Sequence, residues 1–381
     1  MILRTFAIET RSRRAAWTVV AAGAAAAVAG IALDPQRTWS ALLLNGYYML
    51  AVALAGVVFI ALQHLCGAAW SANMRRVAEA MMAALPAAAL LMLALFFGRG
   101  TLYASHVDLP SPKGWYLATP FFFGRMALFV AGWTAFAWTM RRTSLRQDRD
   151  GEAAHHRRLV RLSAVFLVVF AVSFSLASFD WLMTLTRNWS STIFAIYAFA
   201  GLLAGGVAAI TLTTVLLVER GDLANVVNEH HLHDLGKLMF AFSTFWAYIW
   251  VSQYLLIWYG NLPEETPYYL VRTSGAWTIP FLLNVAVNWV VPFLALMPRA
   301  SKRNRRVLKW TAVVMLAGRW LDLYVAIMPA LYRSPAVHAV DLAILAGCAA
   351  GFFLLATRAL AAAPLVPLNN PSFYQSLAHH Q

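Results

Sequence analysis

Ten long apolar stretches govern what this chain can fold into. They run roughly over residues 15–33, 41–66, 77–98, 115–140, 159–185, 192–218, 235–260, 277–298, 307–328 and 336–361. An α-helix needs about 20 apolar residues to cross the hydrocarbon of a bilayer. Within lipid every backbone N–H and C=O must find a partner inside the structure, which leaves helices or closed barrels. Barrel strands would read as alternating segments of about 10 residues, and these runs are longer and continuous. The expected fold is an all-α polytopic membrane protein with ten transmembrane helices, one integral membrane domain over residues 1–381.

The composition agrees. Hydrophobic residues make up 61% of the chain and charged residues 12%, against roughly 25% charged in a soluble globular domain. The formal net charge is +14. In a soluble protein that would point to nucleic acid; here the Lys and Arg sit in short gaps between apolar runs, so they set topology, and no nucleic-acid partner is expected. One set of gaps, with both tails, holds nineteen Lys and Arg, including Arg4, and the alternate set holds six, including Arg37 and Arg272. By the positive-inside rule, residues 1–14 and 362–381 are cytoplasmic and the spans occupy 15–361. The first apolar run ends at Leu33-Asp34-Pro35 without a small-residue cleavage site, so it reads as a span and not a signal peptide.

The seventh span carries FWAYIWVSQYLLIWYGNLPEET at 245–266. It starts from Asp234 as N-cap, and Pro263 and Pro267 stop it. Trp258 and Tyr259 fall at the outer headgroups, joined by Tyr268, Tyr269 and Trp277 in an aromatic belt. Gln253 and Tyr254 lie one to two turns deeper, where they bond between helices or line a path. Asn284 and Asn288 share a face of the eighth span. Gly201, Gly205 and Gly206 in the sixth mark close helix packing.

Ionisable groups inside a span cost at least about 2.5–3.5 kcal/mol each, so each is a functional hypothesis. Arg125 falls near the middle of the fourth span and Asp180 in the outer part of the fifth. Arg319 and Asp322 lie three apart in the ninth, where they share a face and can pair. Asp341 lies one to two turns inside the tenth. With His64 at the inner end of the second span and His338 at the outer start of the tenth, they are candidates for a proton path. The expectation is an interior cluster of carboxylates and guanidiniums biased to the outer half; a purely structural cluster is the alternative. His338 and Asp341, three apart, could also hold a quinone headgroup.

Cofactor ligands are sparse. Cys66 and Cys348 show no Cys-x-x-Cys, haem-attachment or iron–sulfur spacing. A membrane haem needs axial His deep in facing helices, and His64 and His338 sit near opposite surfaces. Glu229, His230, His231, His233 and Asp234 are metal-ligand types, but the tract is short, lacks Cys and caps a helix. No cofactor and no metal are expected in this chain.

Two helix ends, FSLASFDWLMTL and LAGRWLDLYVAIMP, each place an Asp in the outer part of an outward-running helix, a faint repeat. The run LHDLGKLMFAFSTFWAYIWVSQYLLIWYGNLPEET (232–266), continuing through GRWLDLY (318–324) and PLVPLNNPSFYQSL (364–377), resembles the ActF subunit of alternative complex III, a bacterial quinol:cytochrome c oxidoreductase. The resemblance covers most of the chain and is strongest around the seventh span. It implies an NrfD-type fold, with two four-helix bundles, helices 2–5 and 6–9, flanked by helices 1 and 10. It implies a subunit of the inner membrane that carries no redox cofactor and contributes a proton half-channel. The implied partners are an NrfD-type membrane subunit that binds quinol, an iron–sulfur subunit, and multihaem and monohaem cytochrome c subunits, which hold the clusters and haem c. A secondary transporter built around broken helices at Pro86, Pro280 and Pro292 is the alternative reading, and a quinone-binding membrane anchor is another.

Overall fold

A computed structural model describes residues 6–106, 109–367 and 369–380. Arg4 of the expected basic tail and Gln381 lie outside the described residues. Ten helices are long and apolar enough to cross a membrane. They are α1 (Thr10–Leu33), α2 (Pro35–Leu65), α3 (Ala69–Leu102), α4 (Thr119–Asp150), α5 (Ala153–Leu185), α6 (Phe194–Glu219), α7 (Glu229–Gly260), α8 (Gly275–Leu296), α9 (Arg305–Ala330) and α10 (Ala339–Ala361). Among the described residues there is no strand. The all-α membrane fold holds, and the chain contacts lipid over its apolar surface.

Several boundaries move outward from the apolar runs, because polar turns continue a helix past the hydrocarbon. At 32 residues, α7 is about 48 Å long, well beyond a core of about 30 Å. Its N-cap is Asn228 and not Asp234: the Asn228 carboxamide oxygen accepts from the backbone N–H of His230 at 2.9 Å and of His231 at 3.2 Å. That satisfies two of the first-turn donors that a helix start leaves open. The α2 helix begins at Pro35, so Arg37 is in its first turn and not in a loop. The α3 span breaks at Ala83 and Ala84 ahead of Pro86, where the ring denies the helix an N–H and clashes with the preceding turn.

The central helices are α6 and α2, with 83% and 72% of their apolar windows buried; α1 and α10 bury 11% each. α2 packs on α3, α5, α6 and α9; α3 on α4; α4 on α5. α6 packs on α5, α7 and α9, and α8 on α7 and α9. α1 and α10 pack on each other, and both touch α2. Small residues allow the central contact: a Cβ on Gly206 of α6 would overlap Cβ of Ala55 in α2 and lie 3.5 Å from its Cα.

Both ends of the described chain meet at one end of the molecule. Arg220 after α6 donates to Ala7 O at 3.0 Å, and Asn228 before α7 donates to His379 O at 3.0 Å. The helix ends on that side are the starts of α3, α5, α7 and α9; the starts of α2, α4, α6, α8 and α10 lie at the opposite end.

Of the five residues expected in the aromatic belt, two are at the surface. Trp258 and Tyr259 are exposed. Tyr268, Tyr269 and Trp277 are instead buried. The short helix Thr266–Thr273 folds back onto the protein, and Tyr268 stacks on Trp189 with ring centroids 3.8 Å apart. An amphipathic ring suits either a headgroup layer or a protein interior with a hydrogen-bond partner, and sequence position does not separate the two.

Candidate functional site

The buried charges that stand out in the sequence do not gather in one cluster. With Arg37 they form three separate ion pairs, all towards the end of the molecule opposite the termini. No hydrogen bond or ion pair among the described residues joins one pair to another.

Arg125 lies in the second turn of α4, near its start and not mid-span. Its Nε donates to Asp180 Oδ2 of α5 at 3.0 Å, and its Nη2 lies 2.8 Å from the same oxygen in an ion pair. The guanidinium also lies against two rings, 3.8 Å from the Tyr116 centroid and 4.5 Å from that of Phe121. A planar delocalised cation suits such stacking, which an ammonium does not reproduce.

Asp341 is at the third position of α10, in its first turn, closer to the helix end than one to two turns. Arg37 of α2 donates to both its oxygens, with Nε at 2.9 Å from each, and the backbone N–H of His338 donates to Oδ2 at 2.7 Å. The His338 side chain is exposed at the N-cap. Thus Arg37, which reads as a loop arginine, is the counterion of Asp341.

The third pair joins Arg319 and Asp322 within α9, Nη1 to Oδ2 at 2.6 Å. It is the most elaborated. Asp322 Oδ1 also accepts from the Tyr197 hydroxyl of α6 and from Asn284 Nδ2 of α8 at 2.8 Å. Asn288 Nδ2 donates to Asn284 Oδ1 at 2.7 Å and to Gly318 O at 2.8 Å. Asn288 lies in a π-turn, Ala286–Val290, a local widening common at functional positions in helices. The glycine patch of α6 acquires a second purpose here: a Cβ on Gly201 would overlap the Arg319 guanidinium, so its absence makes the slot in which the cation lies.

Two small cavities flank this network. One of about 20 Å³ is bounded by Tyr47, Tyr197, Gly201, Arg319 and Asp322; the other, of about 10 Å³, by Tyr197, Gln253, Tyr268 and Arg272. A water needs roughly 10–15 Å³ of such space, so each is about one water in size. Tyr197 borders both. Gln253 is buried, and its Nε2 points at no partner.

Sequence reasoning missed Arg272. It is 3% exposed, and its guanidinium donates to three backbone carbonyls: Val325 O at 3.0 Å, Tyr268 O at 2.6 Å and Ala326 O at 2.8 Å. Burial pushes its ordinary value down, opposed by the nearby Tyr268, Tyr269 and Tyr197 hydroxyls. In sequence it looks like any loop arginine. A second missed group, Arg75, Arg76 and Glu79 of α3 with Ser144 and Asp148 of α4, carried a readable signal. Arg75 Nε meets Glu79 Oε1 at 3.1 Å at the four-residue spacing of a helical ion pair.

His64 belongs to neither network. It lies 16 residues from Tyr48, whose hydroxyl donates to Leu316 O beside the Arg319 pair, so it is about 24 Å further along α2. The tract at 229–234 caps and ties: His231 bonds Asn228, and Asp234 Oδ2 meets His379 Nε2 at 2.7 Å.

Fold and site together define a class: a ten-helix membrane protein with conjugate ion pairs buried at one end. Compared with known families, the chain matches no family model. It matches none of the curated proteins either.

Proposed function

We propose that this chain is a cofactor-free integral membrane subunit of a quinol:cytochrome c oxidoreductase of the alternative complex III type, and that its α9 network relays protons through part of the membrane. The sequence likeness around 232–266 supports the first half. The helix neighbours close α2–α5 and α6–α9 each into a four-membered ring, which supports the reading of two four-helix bundles. In this reading it sits in a bacterial inner membrane with both termini cytoplasmic. Its neighbours are an NrfD-type subunit that binds quinol, an iron–sulfur subunit, and multihaem and monohaem cytochromes c. Quinol is the substrate of the assembly, and the clusters and haem c belong to the partners.

The observation that carries the relay is Asp322: a buried carboxylate with a hydroxyl, a carboxamide and a guanidinium on it, next to spaces the size of single waters. A carboxylate so placed takes an excess proton from a hydronium in one space, leaving water, and passes it to the Tyr197 oxygen as the Tyr197 proton moves on to a water in the other. The electron-transfer steps lie outside this chain.

The test is Asp322→Asn in the assembled complex, measuring protons released per quinol oxidised. The stoichiometry is expected to fall while the complex still assembles. Asp341→Asn is the contrast, because Arg37 and a backbone N–H already occupy that carboxylate. Unchanged stoichiometry in Asp322→Asn removes the relay.

A further inference from the structure

A third polar cavity lies at the terminus-bearing end, between the end of α2, the start of α3, the start of α5 and the C-terminal tail. Its volume is about 70 Å³. At roughly 10–15 Å³ per water-sized sphere, that is space for about five heavy atoms. Its polar lining is Gln63, His64, Ser71, Arg75, His156, Asn370 and Ser372, with no carboxylate among the lining residues.

Four of those residues bury an atom that has no partner: Gln63 Oε1, His64 Nε2, Arg75 Nη2 and His156 Nδ1. Arg75 is only 6% exposed. Its Nε is occupied by Glu79 Oε1, while its Nη2 has no partner. Buried polar groups without partners are uncommon, and each calls for a ligand or ordered water. Four around one space call for a single occupant.

The chemistry of the walls selects it. Arg75 can only donate. The imidazole of His156 donates in one tautomer, and the Gln63 carboxamide can turn its NH₂ inward. The protonation of His64 follows from its other nitrogen. The Ser163 hydroxyl gives its one proton to Leu159 O at 2.8 Å. Its contact with His64 Nδ1 at 2.9 Å therefore has the imidazole as donor. Neutral His64 thus turns a lone pair to the cavity, and only its protonated form donates there. Charge facing His64 comes from Arg75 of α3 and His156 of α5; the tail residues are uncharged.

We infer that this cavity is a binding site for a phosphate-type oxyanion, either inorganic phosphate or the headgroup of an anionic phospholipid, with a hydroxyl of that group donating to the His64 Nε2 lone pair. Arg75 and His156 grip the oxygens. The site is independent of the α9 relay and stands whether or not that relay exists.

The full chain, purified in detergent and stripped of lipid, is titrated with inorganic phosphate and, separately, with phosphatidylglycerol in mixed micelles, following the thermal unfolding midpoint. Phosphatidylcholine is the control. One of the two anions is expected to raise the midpoint, and whichever does so identifies the source. His156→Leu leaves the Arg75–Glu79 pair intact and is expected to weaken binding about tenfold, the worth of one hydrogen bond to a charged group. If neither anion shifts the midpoint of the wild type, or the shift is the same in His156→Leu, the cavity holds water only and the inference is wrong.

Discussion

Replacing both partners of the α9 ion pair tests whether it is a coupled, desolvated unit. Arg319 and Asp322 are 6% and 1% exposed at their side chains, so solvent screening is weak. Breaking a buried pair costs about 3–5 kcal/mol per partner removed, because the survivor is left uncompensated. The two single changes are not equivalent. Arg319→Met leaves Asp322 with the Tyr197 hydroxyl and Asn284 Nδ2, so the lower bound, about 3 kcal/mol, applies. Asp322→Leu leaves the guanidinium with only the Trp246 ring, 5.8 Å away, so about 5 kcal/mol applies. The double variant has no stranded charge; it strands the donors Tyr197 and Asn284, but so does Asp322→Leu, so that loss cancels in the cycle. What remains is the charge penalty of the two singles, a coupling of at most about 8 kcal/mol. Reversible unfolding in mixed micelles of rising denaturing-detergent fraction measures it. Additivity to within about 0.5 kcal/mol would refute the reasoning, since independent sites add to that tolerance.

Two further outcomes are expected. Gly206→Ala forces α6 away from Ala55, whose backbone cannot yield, and should cost about 1–3 kcal/mol in the same assay; a neutral result would mean the α2–α6 contact is looser than described. Burial also pushes the His106 imidazole down to about 4, with Lys113 adding to the effect. Between that value and the ordinary one near 6.5, the folded chain binds fewer protons than the unfolded one. Stability should therefore fall as pH drops through this window, and His106→Phe, which keeps the stacking on Tyr103 and Phe122, should lose less over the same range. Equal pH slopes in the two proteins would count against it.

The positions of the buried charges could be read in the sequence because hydrocarbon makes each one conspicuous. Arg125, Asp180, Arg319, Asp322 and Asp341 are all buried or nearly so. Their partners could be read only where helical spacing supplied them. Arg319 and Asp322 are three apart and pair as expected, whereas Arg125 finds Asp180 at a separation of 55 and Arg37 finds Asp341 at 304. The burial of Arg272 and the inward turn of Tyr268 and Tyr269 left no mark in the sequence at all.

The sequence by itself determined that ten helices form and roughly where they lie. A bilayer span is a local requirement, met by about 20 apolar residues whose backbone bonds close within the segment. Which helices are central, which charges neutralise one another and where water-sized spaces remain were decided only by the tertiary structure. These depend on how close two backbones approach, as at Gly201 and Gly206, and on side chains brought together from distant helices. No local pattern records that, because the same apolar surface packs against lipid or against a neighbouring helix with little difference in hydrophobic driving force.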